Sequence, residues 1–329
     1  MLNIRPTIRI GFAAIAMGLC ASAAAQQQSY PVKPIRLVVP YPPGGPSDYI
    51  ARAMNEMLGK RLGQPVIVDN RGGAASIIGA EIAARAPADG YTMLVATVTT
   101  LAANPALKAG LPYDPVRDFA PVAMLGASPY VLAVHPGVPA KTAAQLVAYA
   151  KANPGKLSFG SAGTGSSAHL AGELFKHLAG IDIVHVPYKG SGPAIVDLIG
   201  GQIGLIFSSV SGIQPHVNAG RLRALGVSTI KRSASMPDVP TLDESGVKGY
   251  QTRSWNSLVA PRGTPVPIIQ RLNKEVNAVL STSEIGDRIK KQGVETDPGT
   301  PADLARYINE EIVRFRNLIS AIHLKREQI

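Results

Sequence analysis

Ile35-Arg36-Leu37-Val38-Val39-Pro40-Tyr41-Pro42-Pro43-Gly44-Gly45-Pro46-Ser47-Asp48 runs from an apolar strand into a Gly-rich turn and on into Tyr49-Ile50-Ala51-Arg52. The turn carries no cationic side chain. Its prolines fix the backbone, while Gly44 and Gly45 allow close approach and positive φ. Beyond it Ile50, Met54, Met57, Leu58 and Leu62 stripe one helical face. A strand, a tight turn and a helix in this order leave unpaired helix N–H groups at the turn, which suits a small anion. The design returns at Leu157-Ser158-Phe159-Gly160-Ser161-Ala162-Gly163-Thr164-Gly165-Ser166-Ser167, leading into Ala168-His169-Leu170. Two such units far apart in the chain predict two domains facing one cleft.

Around these units, short apolar runs alternate with helical patterns. Strands are expected at 35–40, 66–69, 93–97, 131–134, 157–159, 183–186, 203–207 and 224–227, mostly as continuous apolar runs of the kind buried on both faces. Thr142-Ala143-Ala144-Gln145 reads as a capping box, and Asn153-Pro154-Gly155 as the stop of the helix it opens. Thr300-Pro301-Ala302-Asp303 starts a long helix with Leu304, Ile308, Ile312, Phe315 and Ile319 on one face. The alternation predicts an α/β architecture with mostly parallel strands.

The 329 residues suffice for about two domains. A composition of 46% hydrophobic and 17% charged residues describes a globular chain with ample core. Arg5 and Arg9, the apolar run 10–19 and Ala23-Ala24-Ala25 read as an export signal, with cleavage after Ala25. Its apolar run is too short to span a bilayer, which takes about 18 residues. Cys20, the single cysteine, would leave with it. The mature chain then has no disulfide, no thiol nucleophile and no thiolate metal ligand, which fits a bacterial periplasm. The formal charge of +11 falls to +9 without Arg5 and Arg9. The remaining Lys and Arg are scattered and aromatic residues make up only 5%, so neither a nucleic-acid nor a membrane surface is expected.

Many short motifs, in order, match a known family. They include Tyr30-Pro31, Lys33-Pro34-Ile35, Pro43-Gly44-Gly45 with Asp48 and Ala51-Arg52, Asp69-Asn70-Arg71, Ile78-Gly79-Ala80 and Ala88-Asp89-Gly90-Tyr91-Thr92. Leu111-Pro112-Tyr113-Asp114-Pro115, Ala150-Lys151-Ala152-Asn153-Pro154-Gly155 and His185-Val186-Pro187-Tyr188-Lys189-Gly190 follow. Leu222-Arg223-Ala224-Leu225, Met236-Pro237-Asp238-Val239-Pro240-Thr241, Ser254-Trp255 and Ala260-Pro261 complete the series. Over about residues 30 to 320 the chain resembles the periplasmic solute-binding proteins of tripartite tricarboxylate transporters, the TctC-like or Bug family. The resemblance implies a two-domain periplasmic binding protein of the second topological type. One domain would comprise 26–127 plus 252–329 and the other 128–251, with hinge crossovers near Ala127-Ser128-Pro129 and Thr252-Arg253. It further implies a monomeric receptor for a small carboxylate, without cofactor or metal. That receptor would serve TctA- and TctB-like membrane subunits or, alternatively, a sensor.

The expected ligand contacts follow the turns. In the first, Tyr41, Pro43, Gly44, Gly45 and Ser47 line the cleft, while Asp48 either caps the helix or faces the ligand. The segment Asn70-Arg71-Gly72-Gly73-Ala74-Ala75-Ser76-Ile77 departs from the family pattern, which has Pro, two glycines and Asn where Gly72, Ala75, Ser76 and Ile77 stand. Gly73, Ala74, Ala75, Ser76 and Thr97 are nevertheless placed at the ligand, in a cleft made less polar by Ile77. Arg71 either forks a carboxylate or serves a structural bridge.

In the second turn Ser161, Ala162, Gly163, Thr164, Gly165, Ser166 and His169 are the candidates. Its glycine spacing is that of a P-loop, but Ser166 stands where Lys is needed, so nucleotide hydrolysis is not expected. Ser208 replaces an Asp that can hold a ligand ammonium in this family, which points to a non-amino carboxylate. Trp255 either closes over the ligand or packs at the crossover. No nucleophile elbow, zinc motif or metal-ligand histidine spacing supports an exported hydrolase, and no catalytic residue is assigned.

Overall fold

The computed structural model describes residues 30–322, 324, 327 and 328; the expected export signal lies outside them. The opening stretch forms strand β1 (Ile35–Val39) and helix α1 (Pro46–Leu62). Ile50, Met54, Leu58 and Leu62 bury one face of α1, and Gly63 ends it at φ 78° with its N–H on the Gly59 carbonyl. β2 (Val66–Asn70), α2 (Ile77–Ala84) and β3 (Thr92–Thr97) follow, and β1 lies between β2 and β3 in parallel register. A short helix α3 (Asn104–Leu107) and strand β4 (Lys108–Ala109) lead to β5 (Phe119–Val134).

The second repeat of the design gives α4 (Ala143–Ala152), β6 (Ser158–Ser161), α5 (Ser167–Ala179), β7 (Val184–Pro187), α6 (Ser191–Ile199) and β8 (Leu205–Ser209). α7 (Val210–Asn218) and β9 (Arg223–Val227) complete it. The chain then returns through β10 (Arg253–Pro261), α8 (Val266–Leu280), α9 (Ser283–Lys290) and the long α10 (Pro301–Ala321). A final strand β11 (Glu327–Gln328) pairs with β4. The helix expected to start at Thr300 does so, and Thr300 and Asp303 form a capping box on α10. At Thr142 half of one forms: its hydroxyl accepts from Gln145 N–H, while the Gln145 side chain turns to Lys141 N–H.

One sheet runs through the molecule in the order β2-β1-β3-β10-β5-β8-β6-β7, with β9 also on β5. The outer ladders are parallel as expected, but every ladder of β5 and β10 is antiparallel, so the sheet is mixed. β5 is long because it serves both halves. It pairs with β10 as far as Pro129, opposite Arg253, and with β8 from Tyr130, opposite Ser209. Buried side chains form two clusters on each half. Around β1 and β10 one holds Met54, Leu258 and Leu272, the other Leu101, Trp255 and Ile312; around β6 and β8 one holds Phe159, Phe175 and Phe207, the other Ile195, Ile206 and Ile213. Each such fully buried Leu, Ile or Phe contributes roughly 1.5–3 kcal/mol.

At the change of partner, Ser228 stitches the strands together. It exchanges backbone bonds with Tyr130 and Thr252, and its hydroxyl accepts from Tyr130 N–H at 2.8 Å and donates to the Thr252 carbonyl at 2.6 Å.

Candidate functional site

The parallel strands β1, β2 and β3 end at three short segments, 41–48, 71–76 and 97–100. In the first, Asp48 is buried and bound from three sides. Gly44 N–H and Asn70 Nδ2 each donate at 2.9 Å, and Arg52 Nε donates at 2.9 Å. Burial alone would raise this carboxyl's pKa, but those hydrogen bonds and the Arg52 charge outweigh it and hold the pKa below the usual carboxylate range. The capping expected of Asp48 does not occur, since Gly45 is the N-cap of α1 and no side chain caps it; the contacts of Asp48 are those of a turn anchor. Gly44, at φ 88°, takes the left-handed conformation the turn needs. Ser47 is buried and donates to Asn256 Oδ1 at 2.6 Å; Asn256 in turn lies opposite Thr97 in the ladder.

The second segment holds Gly73 at φ 134° and then three non-glycine residues at positive φ: Ala74 at 46°, Ala75 at 51° and Ser76 at 76°. Such values cost an L-residue roughly 1–2 kcal/mol each. Side chains on the neighbouring segments hold them there. Asn104 Nδ2 donates to the Ala75 carbonyl at 2.8 Å, and Thr100 Oγ1 donates to Ser76 Oγ at 3.0 Å. The chain of hydroxyls continues from Thr100 to Thr97 at 3.1 Å and from Thr97 to Tyr41 at 3.0 Å. Tyr41, Thr97, Thr100 and Ser76 are thus joined in one hydroxyl chain, with the Ser47–Asn256 pair and the Asn104 bond beside it; Thr100, Asn104 and Asn256 are residues that sequence reasoning missed. Arg71 pairs with Asp69 at 2.9 Å, which is the structural bridge.

In the other half, β6 runs into the loop 161–167. Gly163 and Gly165 take φ of 122° and 76°. Ser166 is the N-cap of α5 and accepts from His169 N–H at 3.2 Å. Ser161 is fully buried, accepting from Gly163 N–H at 3.1 Å and bonded to His185 Nε2 at 2.7 Å. His169, also buried, accepts from Gly165 N–H through Nδ1 at 3.2 Å. The two imidazoles stack with centroids 4.0 Å apart. Burial, with the neighbouring imidazole and Lys176, lowers the His169 pKa to about 3, and burial with Lys176 lowers that of His185 to about 4. Both are neutral at neutral pH. Of the three hydroxyls expected at the ligand, those of Ser161 and Ser166 are engaged in shaping the loop, and that of Thr164 is exposed. The amides of Thr164, Ser167 and Ala168 have no partner among the described residues. Ala162 and Ser208 lie at the same end of the sheet, Ser208 buried opposite Val131.

The two halves meet at these loops. A methyl on Gly165 would sit 2.8 Å from Leu107 Cδ2, and Leu170 of α5 packs in the cluster that contains Leu107 and Leu101. Tyr130, whose hydroxyl bonds Ser167, is near enough to Tyr41 for the second phenol to help raise its pKa, after burial, to about 12. Trp255 is fully buried against α10, its Nε1 donating to Glu311 at 2.9 Å and its ring edge-on to Tyr307. Its contacts are those of crossover packing. Cavities of about 290 and 310 Å³ lie along α10, around Arg253 and Tyr307 and around Arg314 and Leu318, and share no residue with the loops. Among the described residues no helix is long and apolar enough to cross a membrane, and no cluster of three metal-ligating side chains occurs.

Chemically, both loops offer helix-terminal amides without a cation and without a nucleophile backed by a base and an acid. Comparison with known proteins agrees in kind. Residues 50–324 match the model of the tripartite tricarboxylate transporter family receptor. The chain is 38% identical over 316 residues to the UPF0065 protein of the tcbD-tcbE intergenic region of Pseudomonas sp. strain P51, covering 96% of this chain and 94% of that protein. Among solved structures it is similar to R. palustris Rpa4515 with adipate, at 36% identity and a TM-score of 0.84 over 91% of this chain and all of the other. MatC from Rhodopseudomonas palustris with bound malate is similar at 33% identity and a TM-score of 0.80, over 88% of this chain and all of the other.

Proposed function

Because the chain belongs to the tripartite tricarboxylate transporter receptor family, we propose that it is an extracytoplasmic receptor that closes on a small carboxylate between its two Gly-rich loops. The observation that carries this reading is the pair of helix N-termini, α1 and α5, lying on opposite halves of a sheet whose halves share only the strand β5. Each terminus presents unpaired amides and a positive dipole end, which stabilise an anion without a side-chain cation.

The two domains are 26–127 plus 252–329 and 128–251, and they rotate about the partner change at Pro129/Tyr130 and Arg253. Ser228 holds the two crossing strands in register there, and rotation about it opens and shuts the loops over the cargo. Ser208 leaves the cleft without an anchor for an ammonium group, while Ile77, expected as an apolar wall, is buried in the core around Leu101 and Trp255 instead. The cargo is therefore a carboxylate without an amine, in the chemical range of the adipate and malate held by the two similar structures. The loaded receptor delivers this cargo to the membrane subunits of a transporter in the periplasm.

Thermal-shift screening of the mature chain with adipate, malate, citrate, benzoate and aspartate tests the reading, followed by calorimetry. A ligand at a hundredfold excess over its Kd stabilises the protein by about 2.7 kcal/mol. Saturable binding of aspartate alone would remove the non-amino assignment. Binding of no carboxylate at all would remove the receptor reading of the cleft.

A further inference from the structure

The loop after β6 has more amides than a single carboxylate can use, and two side chains decide which remain. Gly163 N–H is taken by Ser161 Oγ, which is itself held by His185 Nε2. Gly165 N–H is taken by His169 Nδ1. The two rings form a column with Phe159. His185 lies 4.9 Å from Phe159 and 4.0 Å from His169, and His169 lies nearly parallel to Phe159. The column is set by the sheet, because Phe159 and His185 are register partners on β6 and β7. With the Gly163, Gly165 and Ser166 amides taken up within the loop, those of Thr164, Ser167 and Ala168 are left without a partner among the described residues.

We propose that His169 and His185 are positioning residues of the receptor: His169 takes the Gly165 amide, His185 holds the Ser161 hydroxyl that takes the Gly163 amide, and together they select the amides that meet the ligand carboxylate. This rests on the receptor reading given above. The bond from Gly165 N–H requires an unprotonated Nδ1, so neutral His169 carries its hydrogen on Nε2, on the side of Glu173 Oε1 at 3.8 Å. Each imidazole acts through a single nitrogen toward the loop, Nδ1 for His169 and Nε2 for His185. That asymmetry gives the inference its test. An Asn side chain places its amide oxygen near the position of a His Nδ1, and a Gln side chain places its amide near the position of Nε2.

The experiment pairs reciprocal substitutions with two measurements. Amide exchange by NMR is recorded first on the ligand-free mature chain, followed by calorimetric titration with adipate and malate. In the unsubstituted protein the Gly163 and Gly165 amides exchange at least tenfold more slowly than that of Thr164. H169N and H185Q keep this protection and bind within about threefold of the unsubstituted protein. H169Q and H185N lose both, with binding weakened at least tenfold. A role in packing alone would move all four variants together, since both substitutes replace the same ring.

Equal exchange of Gly163, Gly165 and Thr164 in the ligand-free protein overturns the inference, as does an equal loss of binding in all four variants. Alternate protection in a protein that binds neither dicarboxylate supports the loop assignment and counts against the carboxylate reading of the cleft.

Discussion

The turn 41–48 is anchored by a buried carboxylate, Asp48, which collects a backbone amide, an amide side chain and a guanidinium. The loop 161–167 is anchored instead by two neutral imidazoles, each taking up one loop group. The neighbouring segment of the first half uses non-glycine residues at positive φ, where the second half uses glycines. Both solutions leave helix-terminal amides free of side-chain cations. The first relies on charge–charge pairing and tolerated strain, the second on stacked rings and conformational freedom. Their responses to acid, to truncation and to backbone substitution therefore differ, and each response can be measured.

Acid gives the largest separation. The folded pKa values of about 3 for His169 and about 4 for His185 lie below the 6.5 of an unfolded histidine. Stability from these neutral rings is fully present above about pH 6.5 and is lost as pH falls from there toward 4. Glu173, beside His169 and raised by burial, acts in the opposite direction, being favoured when protonated. The Asp48 contribution survives to lower pH, since its folded pKa lies below the usual carboxylate range and its loss begins only near about pH 4. The Tm of the mature chain should therefore fall between pH 6.5 and 4.5. In the double variant H169N/H185Q, which keeps the hydrogen bonds without the titration, that fall should flatten. A Tm profile of the unsubstituted chain that is already flat over this range would show that the rings are not held neutral.

Truncation comes next. Asp48→Ala leaves Asn70, Gly44 and Arg52 without their shared acceptor. Because Arg52 is half exposed and can turn to water, the expected cost is about 3 kcal/mol rather than the upper end for a buried pair. Urea unfolding at pH 7 measures it. As the pH falls below the usual carboxylate range the difference from the parent should shrink, because protonation of Asp48 removes the same interactions. Gly165→Ala probes the other anchor. A methyl there meets Leu107 and must adopt φ near 76°, at a cost of about 2 kcal/mol. Dicarboxylate binding should fall with it, whereas Gly63→Ala at φ 78°, in open space at the end of α1, should cost about 1 kcal/mol and leave binding unchanged.

How much of this was legible in the sequence depends on the range of the interactions. The units at 35–52 and 157–170 were readable because an apolar run, a glycine turn and a striped helix are local signals. β10 was not readable, since Ser254, Asn256 and Ser257 interrupt its apolar pattern, and Asn256 and Ser257 are buried only by pairing with β3 and β5, more than a hundred residues away. The length of β5 was hidden for a similar reason, with Gly126, Ser128 and Pro129 dividing it where it changes partner. His169 was visible as a candidate in the first turn of a helix, but its partner lies on another strand, and only the Phe159–His185 register brings them together. The departures at Ala75 and Ser76 were visible as losses of glycine. Their left-handed backbone was not, because no periodicity records a dihedral angle.

Those departures also set the smallest and most discriminating measurement. If the first half tolerates strain that the second avoids, relieving it should stabilise the protein. Ala75 is the position to use: it sits at φ 51°, its side chain is exposed, and its carbonyl is held by Asn104 through the backbone, which glycine retains. Relief of left-handed strain returns roughly 1–2 kcal/mol. The added freedom of the unfolded chain takes back about 0.4–1 kcal/mol. Ala75→Gly should therefore stabilise by about 0.5–1 kcal/mol in urea unfolding. Ser76→Gly should gain less, since it removes the hydroxyl that accepts from Thr100. A loss of stability in Ala75→Gly would mean that Ala75 relaxes out of this conformation in solution, and the contrast between a strained first half and an unstrained second would fail at its root.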